Sequence, residues 1–292
     1  MGFASARTKR FPRTGRLPTV GEVSTVSLTA PAAQSVGGRA APRRDRRWAL
    51  LRLASPVVLL AIWQLGSALG VIPQHVLPAP SLIAEAGVEL VRNGELAAAL
   101  RVSGLRVAEG LVLGGLVGVT LGVVVGLSRW AEATVDPPMQ MLRALPHLGL
   151  IPLFILWFGI GELPKVLLVA LGVSFPLYLN TFSAIRQVDP KLFETAAVLG
   201  FSFWQRLRTV IVPSAAPQIL VGLRQSLAIG WLTLIVAEQI NADKGIGFLI
   251  NNARDFLRID IIIFGLIVYA LLGIGTDAIV RVFERRALRY RS

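Results

Sequence analysis

The chain has 292 residues, of which 54 % are hydrophobic and only 16 % charged, and its mean hydropathy is +0.64. A soluble domain carries about 25 % charged residues, so this composition excludes an ordinary water-soluble globule and points to a lipid-facing one. The net charge of +13 does not argue for nucleic acid, because 11 of the 30 Lys and Arg fall in the first 52 residues and most others flank apolar runs. Cys is absent, which removes disulfides, thiolate nucleophiles and Cys-ligated metals, and two His residues far apart in sequence argue against a zinc site.

Residues 1–47 are rich in Arg, Ser, Thr, Ala, Gly and Pro and read as a disordered basic tail, leaving 48–292 as one membrane domain. Arg43, Arg44, Arg46 and Arg47 then precede an apolar run and read as the cytoplasmic flank of an uncleaved signal-anchor. The first crossing is expected from Leu53 to Leu69, followed by a Pro-marked connection and a short amphipathic helix capped by Ser81. A second segment, Leu96 to Leu127, holds Arg101, Arg106 and Glu109 in its first half, which places those turns at the interface or against protein. In its second half Gly110, Gly114, Gly118, Gly122 and Gly126 recur every four residues, a groove for close helix approach. Arg129, Glu132 and Asp136 form a polar turn, and Pro137-Pro138 restart the chain. Segment three, Met141 to Gly159, is expected to kink at Pro146 and Pro152. Segment four covers Val166 to Ile185, segment five Gln218 to Ala237 and segment six Ile261 to Val280, with a surface helix from Phe248 to Phe256.

Between segments four and five lies a polar island, residues 186–217, with a helix of its own. Asp189 caps it, Pro190 fits its first position, and Gly200 stops it after Leu199. Pro213 and Pro217 are expected to fix where the chain turns back into the bilayer. Six crossings put both termini and the island on one side. That side carries 21 Lys and Arg against five opposite, which makes it cytoplasmic. An apolar short helix in that position either lies on the membrane surface or docks into a soluble partner.

Glu194-Thr195-Ala196, Gly200 and Val210-Ile211-Val212-Pro213 resemble the EAA motif of ABC-transporter permease subunits, with matching spacing throughout. Thr195, Val210 and Val212 replace the motif's Ala, Ile and Leu. Leu-Trp-Phe-Gly-Ile-Gly at 156–161, Asn180-Thr181 with Val188-Asp189-Pro190, and Ala237-Glu238-Gln239 with Gly245-Ile246-Gly247 resemble the branch importing aliphatic sulfonates, taurine or nitrate. The resemblance implies an all-α integral membrane protein of the type I ABC importer permease kind, with six transmembrane helices and a cytoplasmic coupling helix between helices four and five. It also implies a multi-pass protein of the bacterial cytoplasmic membrane. Its partners would be a second permease copy in a homodimer, two ABC ATPase subunits and an extracytoplasmic substrate-binding protein. The solute would be a small anion, aliphatic sulfonates first, with nitrate, taurine or another small solute as alternatives. Carried over by position, Glu194, Thr195, Ala196, Gly200 and Pro213 would couple to the ATPase, with Arg206 and Arg208 at the rim or on lipid.

The residues themselves offer no catalytic group. A phosphate-binding Gly-x-x-x-x-Gly-Lys-Ser/Thr loop is missing from the sequence, so ATP-Mg would be used by the partner ATPase, with no cofactor bound by this chain. An ion-coupled secondary transporter is the more distant alternative and needs a buried acidic relay, for which the apolar segments offer no carboxylate pair. Arg143, His147, Tyr178, Asn180 and Trp231 are the polar candidates for the translocation pathway. Each has a structural reading beside the functional one: Arg143 at a headgroup, His147 on a carbonyl freed by Pro146, and Tyr178, Asn180 and Trp231 in helix packing. Arg224 is expected to snorkel, Asp277 to pair with Arg281, and Glu238 to pair with a loop residue or meet the delivering protein.

Overall fold

The computed structural model describes residues 46–240 and 242–287. The basic tail therefore lies outside the described residues, except that Arg46 and Arg47 open the first helix, and Arg289 and Arg291 lie outside them as well. The chain divides into two compact units at Arg52, and the description below concerns the second, from Leu53 on.

Every regular element among the described residues is helical. In chain order they are α1 (Arg46–Ala68), α2 (Pro80–Arg92), α3 (Glu95–Leu127), α4 (Arg129–Ala144), α5 (Ile151–Phe158), α6 (Glu162–Arg186), α7 (Pro190–Val198), α8 (Phe203–Arg206), α9 (Val212–Ile240), α10 (Ile246–Asp255) and α11 (Ile259–Ala287). A 3-10 turn, His147–Leu150, leads into α5, and a π turn, Leu207–Ile211, joins α8 to α9. Among the described residues, four helical stretches are long and apolar enough to span a bilayer: α3, α6, the continuous run Phe203–Ile240, and α11. Segment three of the sequence reading is a broken pair, α4 followed by the 3-10 turn and α5, bent by 83°. Within α1 the apolar stretch Ala54–Ala68 is shorter than these spans.

α6 is the centre. Two thirds of its apolar window (67 %) is buried inside the protein, whereas α11 buries 17 % and leaves most of its surface for lipid. α3 runs parallel to α6, and the second half of α3 packs against α6 through the glycine ladder. Gly110 meets Val169, Gly114 meets Ala170, Gly118 meets Ser174, Gly122 meets Thr181 and Gly126 meets Ile185. A Cβ at Gly114 or Gly118 would fall on the carbonyl oxygens of Ala170 and Ser174, so hydrogen alone permits this backbone approach. α9 runs antiparallel on another side of α6, where Ser226 Oγ donates to the Val173 carbonyl at 2.7 Å. The main core lies where α3, α6, α9, α10 and α11 converge, around Val169, Val173, Leu234, Ile246 and Tyr269.

Several local expectations need correction. Pro137 and Pro138 do not restart the chain; they lie inside α4, which begins on Ser128, whose Oγ accepts from the Ala131 N–H. The break comes instead at Leu145-Pro146, where the backbone is extended and Pro146 lacks the N–H to continue. Ser81 does not cap α2. Pro80 takes the first helical position after Ala79, and Ser81 exchanges two 3.1 Å hydrogen bonds with Gln64 of α1. The chain does not turn at Pro213 and Pro217 either, because helix runs through from Phe203, starting on a Ser202–Gln205 capping box. Just before Pro213 the π turn shifts the pairing, so that Val212 N–H donates to the Leu207 carbonyl.

Candidate functional site

Where the α4–α5 break meets the α6–α9 pair, a cavity of about 350 Å³ opens, lined by Arg143, His147, Gly172, Phe175, Pro176, Leu179, Asn180, Gln225 and Ile229. Its polar groups arrive from three directions. The 83° bend aims the last turn of α4, with Arg143, and the 3-10 turn, with His147, at the middle of α6. Gly172 makes room for that contact: a Cβ there would press on Thr233 Oγ1 at 3.0 Å and lie 3.6 Å from the His147 ring. His147 Nε2 consequently reaches Thr233 Oγ1 of α9 at 3.2 Å, and this hydroxyl, not a carbonyl freed by Pro146, is its partner.

Asn180 is the polar hinge between α6 and α9. Its Nδ2 donates to the Pro176 carbonyl at 2.8 Å and to Gln225 Oε1 at 2.9 Å, and its Oδ1 accepts from Gln218 Nε2 at 2.6 Å. Gly222 lets α9 come this close, since a Cβ there would lie 2.7 Å from the Asn180 Cβ. Both amide hydrogens of Asn180 are committed, so it positions Gln225, whose own amide nitrogen remains available to the cavity. Arg143 is exposed, and among the described residues none pairs with it. The cavity therefore presents one unpaired guanidinium, an imidazole and a carboxamide on otherwise apolar walls, a donor set suited to a small anion with an apolar tail.

Tyr178 and Trp231 are elsewhere. The Tyr178 hydroxyl donates to Asp136 of α4 at 2.6 Å and its ring stacks on Phe182, while Trp231 packs edge-on against Tyr269 in the main core. Of the five pathway candidates the fold brings Arg143, His147 and Asn180 together and leaves these two outside.

The coupling candidates form a second cluster, at the opposite end of α6 from Glu162. Asp189 Oδ1 accepts from the Lys191 N–H at 2.9 Å and starts α7. Gly200, at φ +72°, ends it in a Schellman motif, with the Phe201 N–H on the Ala196 carbonyl (2.9 Å) and the Gly200 N–H on the Ala197 carbonyl (3.0 Å). Glu194 and Thr195 are exposed, and the Thr195 hydroxyl is satisfied by the Lys191 carbonyl at 2.8 Å. Ala196 is buried at 3 %, so its small size serves packing of α7 on its own protein and not a partner's groove. The exposed apolar surface of the element comes from Leu192, Val198 (88 % exposed), Leu199, Phe203 and Trp204, which the motif residues alone do not indicate. Arg206 turns inward, its Nε donating to the Phe201 carbonyl at 3.0 Å, while Arg208 stays exposed. Pro213 follows the π turn as the second residue of α9.

A third cluster was not assembled by sequence reasoning. At the other end of α6, Glu238 is fully buried and accepts from Ser103 Oγ (2.8 Å), Arg106 Nη1 (2.6 Å), the Gly247 N–H (2.8 Å) and the Tyr269 hydroxyl (3.0 Å). Arg106 forks onto Glu162 through Nε (2.5 Å) and Nη2 (2.7 Å), and Lys165 Nζ reaches Glu162 at 2.9 Å. Glu238 thus pairs not with a loop residue but with Arg106 of α3, backed by Tyr269 of α11 and the first turn of α10, and Gly245 and Gly247 are small because the Glu238 side chain occupies the space a Cβ would need. Two signals were legible, Arg106 deep in an apolar segment and the i,i+3 spacing of Glu162 and Lys165. Arg224 likewise does not snorkel, because Asp277 (2.9 Å) and Glu284 (2.6 Å) of α11 hold it, and Asp277 also pairs with Arg281.

The profile of the family described as binding-protein-dependent transport system inner membrane component matches residues 114–289, more than half of the chain. The chain belongs to this family. It is a multi-pass permease subunit of the ABC importer class, and the matched region contains α6, α7, α9 and both ends of the cavity. Over 254 residues the permease is 45 % identical to a Bacillus subtilis protein bearing the name aliphatic sulfonates transport permease protein SsuC, covering 87 % of this chain and 92 % of the relative. The Escherichia coli protein of the same name is 46 % identical over 84 % of this chain and 94 % of its own. The E. coli taurine transport system permease protein TauC is 34 % identical over 82 % and 91 %. Among solved structures the fold is similar to an inward-facing methionine ABC transporter, MetNI (TM-score 0.53, 17 % identity, 64 % of this chain and 95 % of that one). It is also similar to an amino acid ABC transporter with histidines (TM-score 0.54, 19 % identity, 70 % and 98 %).

Proposed function

We propose that this permease imports aliphatic sulfonates across the bacterial cytoplasmic membrane, with both termini and α7 in the cytoplasm and the Glu238 cluster at the outer face. Two copies of the chain form the channel, an extracytoplasmic binding protein delivers the solute, and two ATPases using ATP-Mg drive the cycle. The observation that carries this reading is the cavity beside α6, where an unpaired Arg143 guanidinium, His147 and Gln225 face an apolar wall of Phe175, Leu179 and Ile229. A sulfonate oxyanion suits the donors and an alkyl tail suits the wall. The names of the relatives point the same way, and taurine shares the sulfonate group.

In this scheme Glu194, Thr195 and the apolar rim of Leu192, Val198 and Leu199 meet the ATPase, Gly200 sets the bend behind them, and Pro213 marks the start of the helix that carries motion to the cavity. Coupling requires two states of the permease whose populations the ATPase biases. The test is ATP-driven uptake into proteoliposomes holding the permease, its ATPase and its binding protein. Ethanesulfonate should accumulate and Arg143→Met should cut uptake by about tenfold or more. Accumulation of nitrate with none of ethanesulfonate or taurine would overturn the sulfonate assignment.

A further inference from the structure

We propose that Arg106 and Lys165 form an oxyanion cradle at the outer mouth of the permease, covered by the Glu162 carboxylate as an exchangeable lid. The cradle takes the charged head of a sulfonate before it reaches the cavity at Arg143. This site deepens the import reading above and rests on it for direction.

Burial within this ion cluster is uneven. The Arg106 and Lys165 side chains are 3 % exposed, yet the carboxylate that neutralises them, Glu162, is 59 % exposed. Members of a purely structural ion cluster are usually buried together, because a desolvated cation gains most from a desolvated partner. Here Glu238 has that role: it is fully buried and, with the Lys244 carbonyl, takes Arg106 Nη1. The remaining donors, Arg106 Nε and Nη2 and Lys165 Nζ, all converge on Glu162, and among the described residues Lys165 has no other partner. A planar fork and an ammonium aimed at one point match the oxygens of a sulfonate or sulfate as well as they match a carboxylate.

The lid also borders a space large enough for a small anion. A recess of about 480 Å³ lies beside it, lined by Glu162, Lys165, Ile160, Ile240 and Asp243. Once Glu162 swings into solvent, two buried cations face one buried carboxylate, and the net positive charge is met most directly by an incoming anion. Asp243, which also lines the recess, disfavours anions away from the two cations.

The recess and the inner cavity lie along the same side of α6. Lys165, Gly172 and Leu179 are spaced by seven residues and share one face of α6, and Gly172 and Leu179 line the inner cavity. The step from Lys165 to Gly172 is roughly 10 Å along the helix at 1.5 Å per residue. Ile151, Leu168 and Ala237 fill the interval as a buried apolar cluster. A charged head therefore has a holding point on each side of an apolar barrier.

The test titrates ethanesulfonate and sulfate, separately, into the full-length permease in lipid nanodiscs by calorimetry. Glu162→Gln removes the competing charge and keeps the side chain's size, so affinity for both anions should rise by about fivefold or more. Adding Lys165→Met should abolish that gain, and Arg143→Met should leave it intact. If Lys165→Met fails to fold, the Glu162→Gln arm decides alone, since its side chain is largely in solvent. An unchanged or weaker affinity in Glu162→Gln, or no binding of either anion, overturns the cradle. Ethanesulfonate uptake with an unresponsive Glu162→Gln sinks the cradle and spares the import reading. A Glu162→Gln gain for both anions without ethanesulfonate uptake does the reverse.

Discussion

At the residue scale, the helix α7 is set by a few neighbours along the chain. Asp189, Pro190 and Gly200 bound a helix by local backbone chemistry, and α7 begins and ends on them. Glu238 shows the opposite case. Its position after an apolar run marked it as unusual, but Ser103 and Arg106 lie more than 130 positions away, and only the packing of α3 on α9 chooses them as partners. The fully local character of Gly200 yields a discriminating prediction. Nothing lies within 4 Å of a Cβ built on it, so a substitution there acts through the left-handed backbone and not through a clash within the chain. Gly200→Asn, which tolerates that region, should keep solute-stimulated ATPase activity in the reconstituted complex close to normal. Gly200→Val adds strain of about 1–3 kcal/mol at the bend and should lower that activity severalfold while the purified permease stays folded. Equal activity of the Val and Asn forms would show that the bend behind α7 is not used in coupling.

At the element scale, periodicity was informative and proline was misleading. The four-residue glycine repeat announced a groove on α3, although its occupant, α6, is separated from it by the whole α4–α5 break. Pro137 and Pro138 looked like a boundary, yet α4 continues through them, with Asp136 beside them engaging Gln140 (3.3 Å) and the Tyr178 hydroxyl. Pro146 does break the chain because its neighbour Leu145 is already extended. The ladder makes a prediction with its own control inside one helix. At Gly118 even a methyl group meets the Ser174 carbonyl, so Gly118→Ala should force α3 and α6 apart and cost about 1–3 kcal/mol. Gly104 belongs to the same helix but has nothing within 4 Å, so Gly104→Ala should be neutral or stabilise by up to about 1 kcal/mol through helix propensity. Thermal unfolding of the two variants in the same detergent checks the ordering. A Gly118→Ala protein as stable as wild type would mean that the α3–α6 contact is looser than the ladder implies.

At the scale of the whole molecule, the two polar sites are separated by apolar packing. Ile151 at the start of α5, Leu168 of α6 and Ala237 of α9 form a buried cluster, with Leu150, Phe154, Ile155 and Val236 packed around it. A sulfonate cannot cross such a cluster without shedding its hydration, so transport requires Ile151 and Leu168 to part. The element suited to move is α5, a single eight-residue helix hung from the bend after α4, whereas α6 and α9 are held to each other through Asn180 and Ser226. The sequence contains no Cys, which makes the motion directly testable by paired thiols. With Ile151→Cys and Leu168→Cys combined, a short bis-thiol reagent should tie α5 to α6. Ethanesulfonate uptake by the reconstituted complex should fall to background after cross-linking and return on reduction. Each single substitution, treated with the same reagent, should retain uptake, which separates the tether from the bulk of the label. Undiminished uptake with the tether quantitatively formed would show that solute passes without α5 leaving α6, and the route between the two sites would then have to lie on another face of the permease.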